Sequence, residues 1–126
     1  MKDLLEQLDG QRITLDECDD RISAAIAQVE EHLKRHVKIR VTLNIGNDRS
    51  IDFGKIDGNW RLIHGEGDDE EPLASSNRDV RAEMFAAGHI EALIRSIAEQ
   101  FDQRIAERTR AIESAQRIID ALRSAT

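Results

Sequence analysis

Tyrosine is absent from this chain, tryptophan occurs once, and aromatic residues make up only 3% of the sequence. The base-stacking platforms of single-strand nucleic-acid binders are therefore excluded. There is one cysteine, Cys18, so no intrachain disulfide can form. With one proline and seven glycines in 126 residues, turns are few and long elements are expected. No apolar run approaches the length of a membrane span. The opening residues MKDLLEQLDG hold no uninterrupted apolar core and are not expected to act as a secretion signal. A cytoplasmic location is expected. There is no glycine-rich phosphate loop, no Ser/His/Asp arrangement and no Cys or His cluster of zinc type, so neither an enzyme nor a cofactor is expected.

Charge is abundant. Charged residues make up 34% of the chain, which suits long exposed helices, and the formal net charge is −7. An acidic chain is repelled by phosphate backbones and anionic lipid. The excess is local: residues 1–36 sum to −4 and residues 65–76 to −5, whereas residues 37–64 sum to +2.

The hydrophobic pattern predicts a single α+β domain in the order α-β-β-β-α. Residues 1–36 read as helical, interrupted at Gly10. Thr14 and Glu17 have capping-box spacing and predict a helix start there. Leu15, Cys18, Ile22, Ala25, Ile26, Val29 and Leu33 follow in steps of three and four. The period then changes. Val37, Ile39, Val41, Leu43 and Ile45 alternate with polar residues, the mark of a strand with one buried face. A meander over 37–64 is expected, with turns at Gly46-Asn47-Asp48 and Asp57-Gly58. A two-residue turn at Asp57-Gly58 pairs Phe53 with Leu62 and Lys55 with Trp60. An odd number of residues in the first turn keeps Val41 and Leu43 on the face of Ile51 and Phe53. Residues 65–75 read as an acidic loop. Ser75 or Ser76 is expected to cap a long helix over 76–124, with Gly88 as its weak point. Its seam includes Ile94, Phe101, Ile105, Arg108, Ile112, Ile119 and Leu122. The two helices match in length and are expected to form an antiparallel stem. Such a stem has a thin core, and two chains forming a four-helix bundle would thicken it. A homodimer is therefore expected.

Candidate sites follow. Lys38 and Arg40 are expected to project from the outer face of the sheet, and Arg61 with them, which makes that face positive. Trp60 reads either as core support or as an exposed contact. Asp68, Asp69, Glu70 and Glu71 lack the alternating ligand spacing of a calcium loop. They read as a solvated run that can meet a basic partner. His32 and His36 have the spacing of a helical metal pair but lack a third ligand, so no metal is expected. Cys18 lies among acids, which suppress a thiolate, and reads as a packed small residue. Arg108, on the helix seam, is expected to need an acidic partner and to set register.

The segment from Phe53 to Leu62, FGKIDGNWRL, resembles a hairpin style common in bacterial and phage proteins. The order helix, three strands, helix with an acidic balance is similar to that of the YbaB-type nucleoid proteins, which implies a DNA-binding dimer. From the residues themselves the leading expectation is a non-enzymatic adaptor, a helical homodimer with a protein partner. The alternative is a nucleic-acid-associated dimer, of nucleoid or DNA-mimic type, using the sheet face or the acidic segment. An enzyme would need His64, His89 and the acidic segment to converge.

Overall fold

A computed structural model describes residues 1–125. It has an N-terminal helix, an antiparallel sheet and a long C-terminal helix, as the pattern predicts, but the sheet has four strands. The chain forms two compact units, Met1–Leu93 and a second from Ile94 onward. Among the described residues no helix is long and apolar enough to cross a membrane.

Helix α1 runs unbroken over Lys2–His36. Gly10 does not interrupt it, and Thr14 does not cap it. The Thr14 hydroxyl instead donates to the Gly10 carbonyl one turn back, 3.1 Å away. That bond lies within a helix already formed, where a capping box has no free N–H groups to satisfy. Lys34, Arg35 and His36 close the last turn against its negative end.

The first strand starts later than the alternation suggests. Val37 ends α1 by donating its N–H to the Leu33 carbonyl, so its apolar side chain is buried from a helix terminus. Strands β1 (Val41–Gly46), β2 (Arg49–Ile56), β3 (Asn59–Glu66) and β4 (Asp69–Pro72) form a meander in sequence order. Phe53 pairs with Leu62 and Lys55 with Trp60, around a turn in which Asp57 and Gly58 both have positive φ. The first turn achieves its odd residue differently. Asn47 and Asp48 make a two-residue turn, both at positive φ, and the ladder slips between Asn44 and Gly46. Ile45 is the extra residue of a bulge. The face assignment survives, with Val41 opposite Phe53 and Leu43 opposite Ile51.

The segment 65–75 is not a loop. Gly65 and Glu66 finish β3, Gly67 turns at positive φ, and Asp69–Pro72 pairs back as β4. Four acidic or imino residues have low strand propensity. Backbone pairing to β3 forms the strand regardless, and its edge position leaves the carboxylates in water. A 3-10 turn at Leu73–Ser75 follows.

The expected helix over 76–124 is two helices, α2 (Arg78–Ala86) and α3 (His89–Ser124). Asn77, not Ser75 or Ser76, caps α2, its side chain accepting from the Val80 N–H at 2.9 Å. The break falls at Gly88, whose φ of +77° a helix interior cannot hold. The core of the first unit gathers Ile26 and Leu33 of α1, Ile51, Phe53 and Leu62 of the sheet, Leu73, Met84 of α2, and Ile90 and Leu93 of α3, all buried.

Candidate functional site

The sheet's two faces differ in chemistry. On the core face, Arg49 at the start of β2 reaches across to α2. Its guanidinium donates to both carboxylate oxygens of Glu83, at 2.7 and 2.8 Å. The same side chain lies 3.3 Å from Nε2 of His64, which is buried. A guanidinium can only donate, so Nε2 accepts and the ring proton sits on Nδ1. Nδ1 faces Glu71 of β4 at 3.9 Å. The bond from Arg49 holds the Glu83 carboxyl below its ordinary value, against a smaller opposing effect of burial. His89 adds to the lowering. The same bond raises Arg49. His64, Glu66, Asp69, Glu70 and Glu71 line a cleft beside this cluster.

The outer face is not an open basic patch. Arg40 lies on it, but donates to Asp52 Oδ2 and to Glu70, each at 2.6 Å. Thr42 donates to the same Asp52 oxygen at 3.0 Å. Burial alone would lower Arg40, and the bonds to Asp52 and Glu70 outweigh it, so its pKa is raised. Gly54 makes room for this arrangement. A Cβ there would stand 3.2 Å from Cγ of Arg40. Arg61 leans to the sheet edge, its Nε 3.7 Å from Glu30 of α1. That Glu30 oxygen also accepts the Leu62 N–H at 2.8 Å. Leu62 lies one residue short of the β3–β4 ladder, which begins at Ile63 opposite Pro72. Glu30 therefore takes the place of a missing strand partner.

Lys38 does not project from the outer face, because β1 begins only at Val41. Its ammonium bonds the Lys34 carbonyl and lies 5.9 Å from the centre of the Trp60 ring. Lys55 lies 5.7 Å from the same ring. Trp60 is half-buried and stacks on Phe53 with ring centres 5.6 Å apart. It extends the core and carries two cations on its margin. Asp68, Asp69, Glu70 and Glu71 are all exposed, and of these Glu70 binds Arg40 while Glu71 faces His64. His32 and His36 have ring centres 5.2 Å apart. Among the described residues no group of three potential metal ligands comes together. Cys18 is exposed, where a packed residue was expected.

The exposed large apolar residues after Met1 lie on helices α1 and α3. In the first half of α1, Leu4, Leu8 and Leu15 fall at steps of four and seven and are each about half exposed, at 50%, 51% and 54%. Gln7, Gly10, Gln11, Thr14, Leu15 and Cys18 line a shallow groove along this stretch. In α3 no described residue beyond Ile97 is buried. Ile105, Ile112, Ile119 and Leu122 keep 61%, 68%, 40% and 64% of their surface in water. They recur in steps of seven, seven and three, on one side of the helix.

Compared with protein-family models, with curated proteins and with solved structures, the chain matches none.

Glu30 and Glu83 escape a reading by sequence pattern. Glu30 stands one turn after Ile26 and one turn before Leu33, so its place on the buried side of α1 was readable. Its acceptor role was not, because nothing local marks where β4 ends. The Arg49–Glu83 pair spans 34 residues of chain and has no local signal at all.

Proposed function

We propose that this chain is a non-enzymatic interaction protein that works as a homodimer through its long helices and engages a protein partner. The exposed apolar stripe of α3, matched by that of the first half of α1, carries the reading. Stripes of this length on soluble helices mark protein-protein contact. A second copy supplies the same stripes and so doubles the helices available to a bundle. The arginines expected on the outer sheet face are each engaged with a carboxylate, which directs the interaction to the helices. The exposed acids at the β3–β4 turn are the surface offered to a basic protein partner.

Size-exclusion chromatography with light scattering tests the reading. Twice the chain mass of 14.3 kDa is expected, and Ile112→Glu should return the protein to monomer. A wild-type monomer at high concentration overturns it.

A further inference from the structure

The seam of α3 also specifies how two copies meet, an inference that rests on the homodimer proposed above. From Ala98 to Leu122 it follows a seven-residue repeat, the spacing of a two-stranded coiled coil. Ile105, Ile112 and Ile119 occupy one of its two seam positions, and Phe101, Arg108 and Ala115 the other.

A parallel pair sets every seam residue against its own copy. Arg108 would then face Arg108, two like charges in one layer. Ala115 would face Ala115 and leave the layer underfilled. An antiparallel pair with its two-fold axis beside Arg110 behaves differently. Ile105 meets Ala115, and Ala98 meets Leu122, large against small in each case. Arg108 meets Ile112, laying its aliphatic stem on the isoleucine while its charged head reaches the rim. The two guanidinia then lie on opposite sides of the axis.

Sliding this pairing by one heptad loses the match. In one direction Ala98 meets Ala115. In the other, Ile105 meets Leu122, large against large.

We infer that α3 pairs antiparallel with the α3 of a second copy, about a two-fold axis beside Arg110, with Arg108 excluding the parallel arrangement. The two chains enter the paired helices from opposite ends.

Spin-label distances test this. Cys18, the one free thiol, is replaced by serine, and single cysteines are introduced as Arg110→Cys or Ser124→Cys, both at exposed positions. Each protein is labelled and its mass measured. The antiparallel pair predicts a short separation at Arg110, roughly 25–30 Å, from the spacing of packed helices and the outward direction of this position on each. It predicts roughly 40–45 Å at Ser124, from the rise per residue on either side of the axis. Short distances at both positions in a dimer mean parallel helices and overturn the inference while sparing the homodimer. Long or broad distances at both mean a dimer built on another surface and overturn it too. Monomer mass without dipolar coupling removes the homodimer, and the inference with it. As a further check, Arg108→Leu should admit the parallel pair and shorten part of the Ser124 distances. An unchanged long distance would show that Arg108 excludes nothing.

Discussion

Phe53 in β2 has no solvent-exposed surface, whereas Ile112 in α3 keeps 68% of its own. Both are large apolar residues in regular, well-patterned elements. Phe53 sits on a sheet whose alternation gives one apolar face. That face is closed within the first unit, by helices α1 and α2, the 3-10 turn and the start of α3. Ile112 belongs to a stripe that continues for several turns beyond the last buried residue. Burial of apolar area stabilises at about 25 cal/mol per Å² wherever it happens. The comparison therefore separates residues whose burial holds the fold from residues that the fold of the first unit leaves in water.

The sharpest way to test the contrast is to truncate one residue of each kind. Phe53→Ala should lower the unfolding free energy of the first unit by about 3–5 kcal/mol, read from a urea titration. Ile112→Ala should leave that transition unmoved in dilute protein and lower the dimer fraction instead. Equal losses in both variants would erase the distinction.

A smaller effect is expected where the sheet is tied to α2. Arg49→Met removes both bonds to Glu83 and should cost about 1–3 kcal/mol, since the carboxylate loses a charged partner. The pair also gives an acid limb to stability. Because the Glu83 carboxyl is held below its ordinary 4.5, its contribution is complete above that value and is lost as pH falls through the lowered one. Glu83→Gln should therefore show a shallower loss of stability on acidification than the parent. An identical acid profile would mean that the pair contributes nothing. Smaller again is the cap of α2. Asn77→Ala should cost about 1 kcal/mol by releasing the Val80 N–H. Least of all is Gly10→Ala. A Cβ at Gly10 meets nothing within 4 Å, so the substitution should stabilise α1 by about 0.5–1 kcal/mol.

The elements readable from sequence were those governed by short-range rules. The change of period near Val37, the Asp57-Gly58 hairpin and the pairing of Phe53 with Leu62 all follow from side-chain alternation and turn chemistry. Misreadings arose where a longer-range contact prevailed. Thr14 and Glu17 have the spacing of a cap, but the helix is already under way at Lys2 and has no end there to satisfy. Residues Asp69–Pro72 have the composition of a loop, yet the free edge of β3 recruits them as a strand. The expected basic sheet face failed for a similar reason. Arg40 lies on the side that the alternation predicts, but its partners Asp52 and Glu70 lie 12 and 30 residues away in the chain. The exposed α3 stripe was visible as a seam, and only the structure shows how little of it is covered.

Glu30 bears on a different hazard, that of sheets growing end to end. Exposed strand edges template the addition of further strands, and proteins commonly blunt them with charge. Beyond the point where β4 ends, the Leu62 N–H of β3 has no strand partner, and Leu62 is fully buried. A carboxylate from α1 already occupies that donor and holds a negative charge over the gap. A single side chain from another element blunts the edge at this point. Glu30→Ala would leave this buried donor unpaired and remove the edge charge, and should both lower the melting temperature and hasten turbidity on storage.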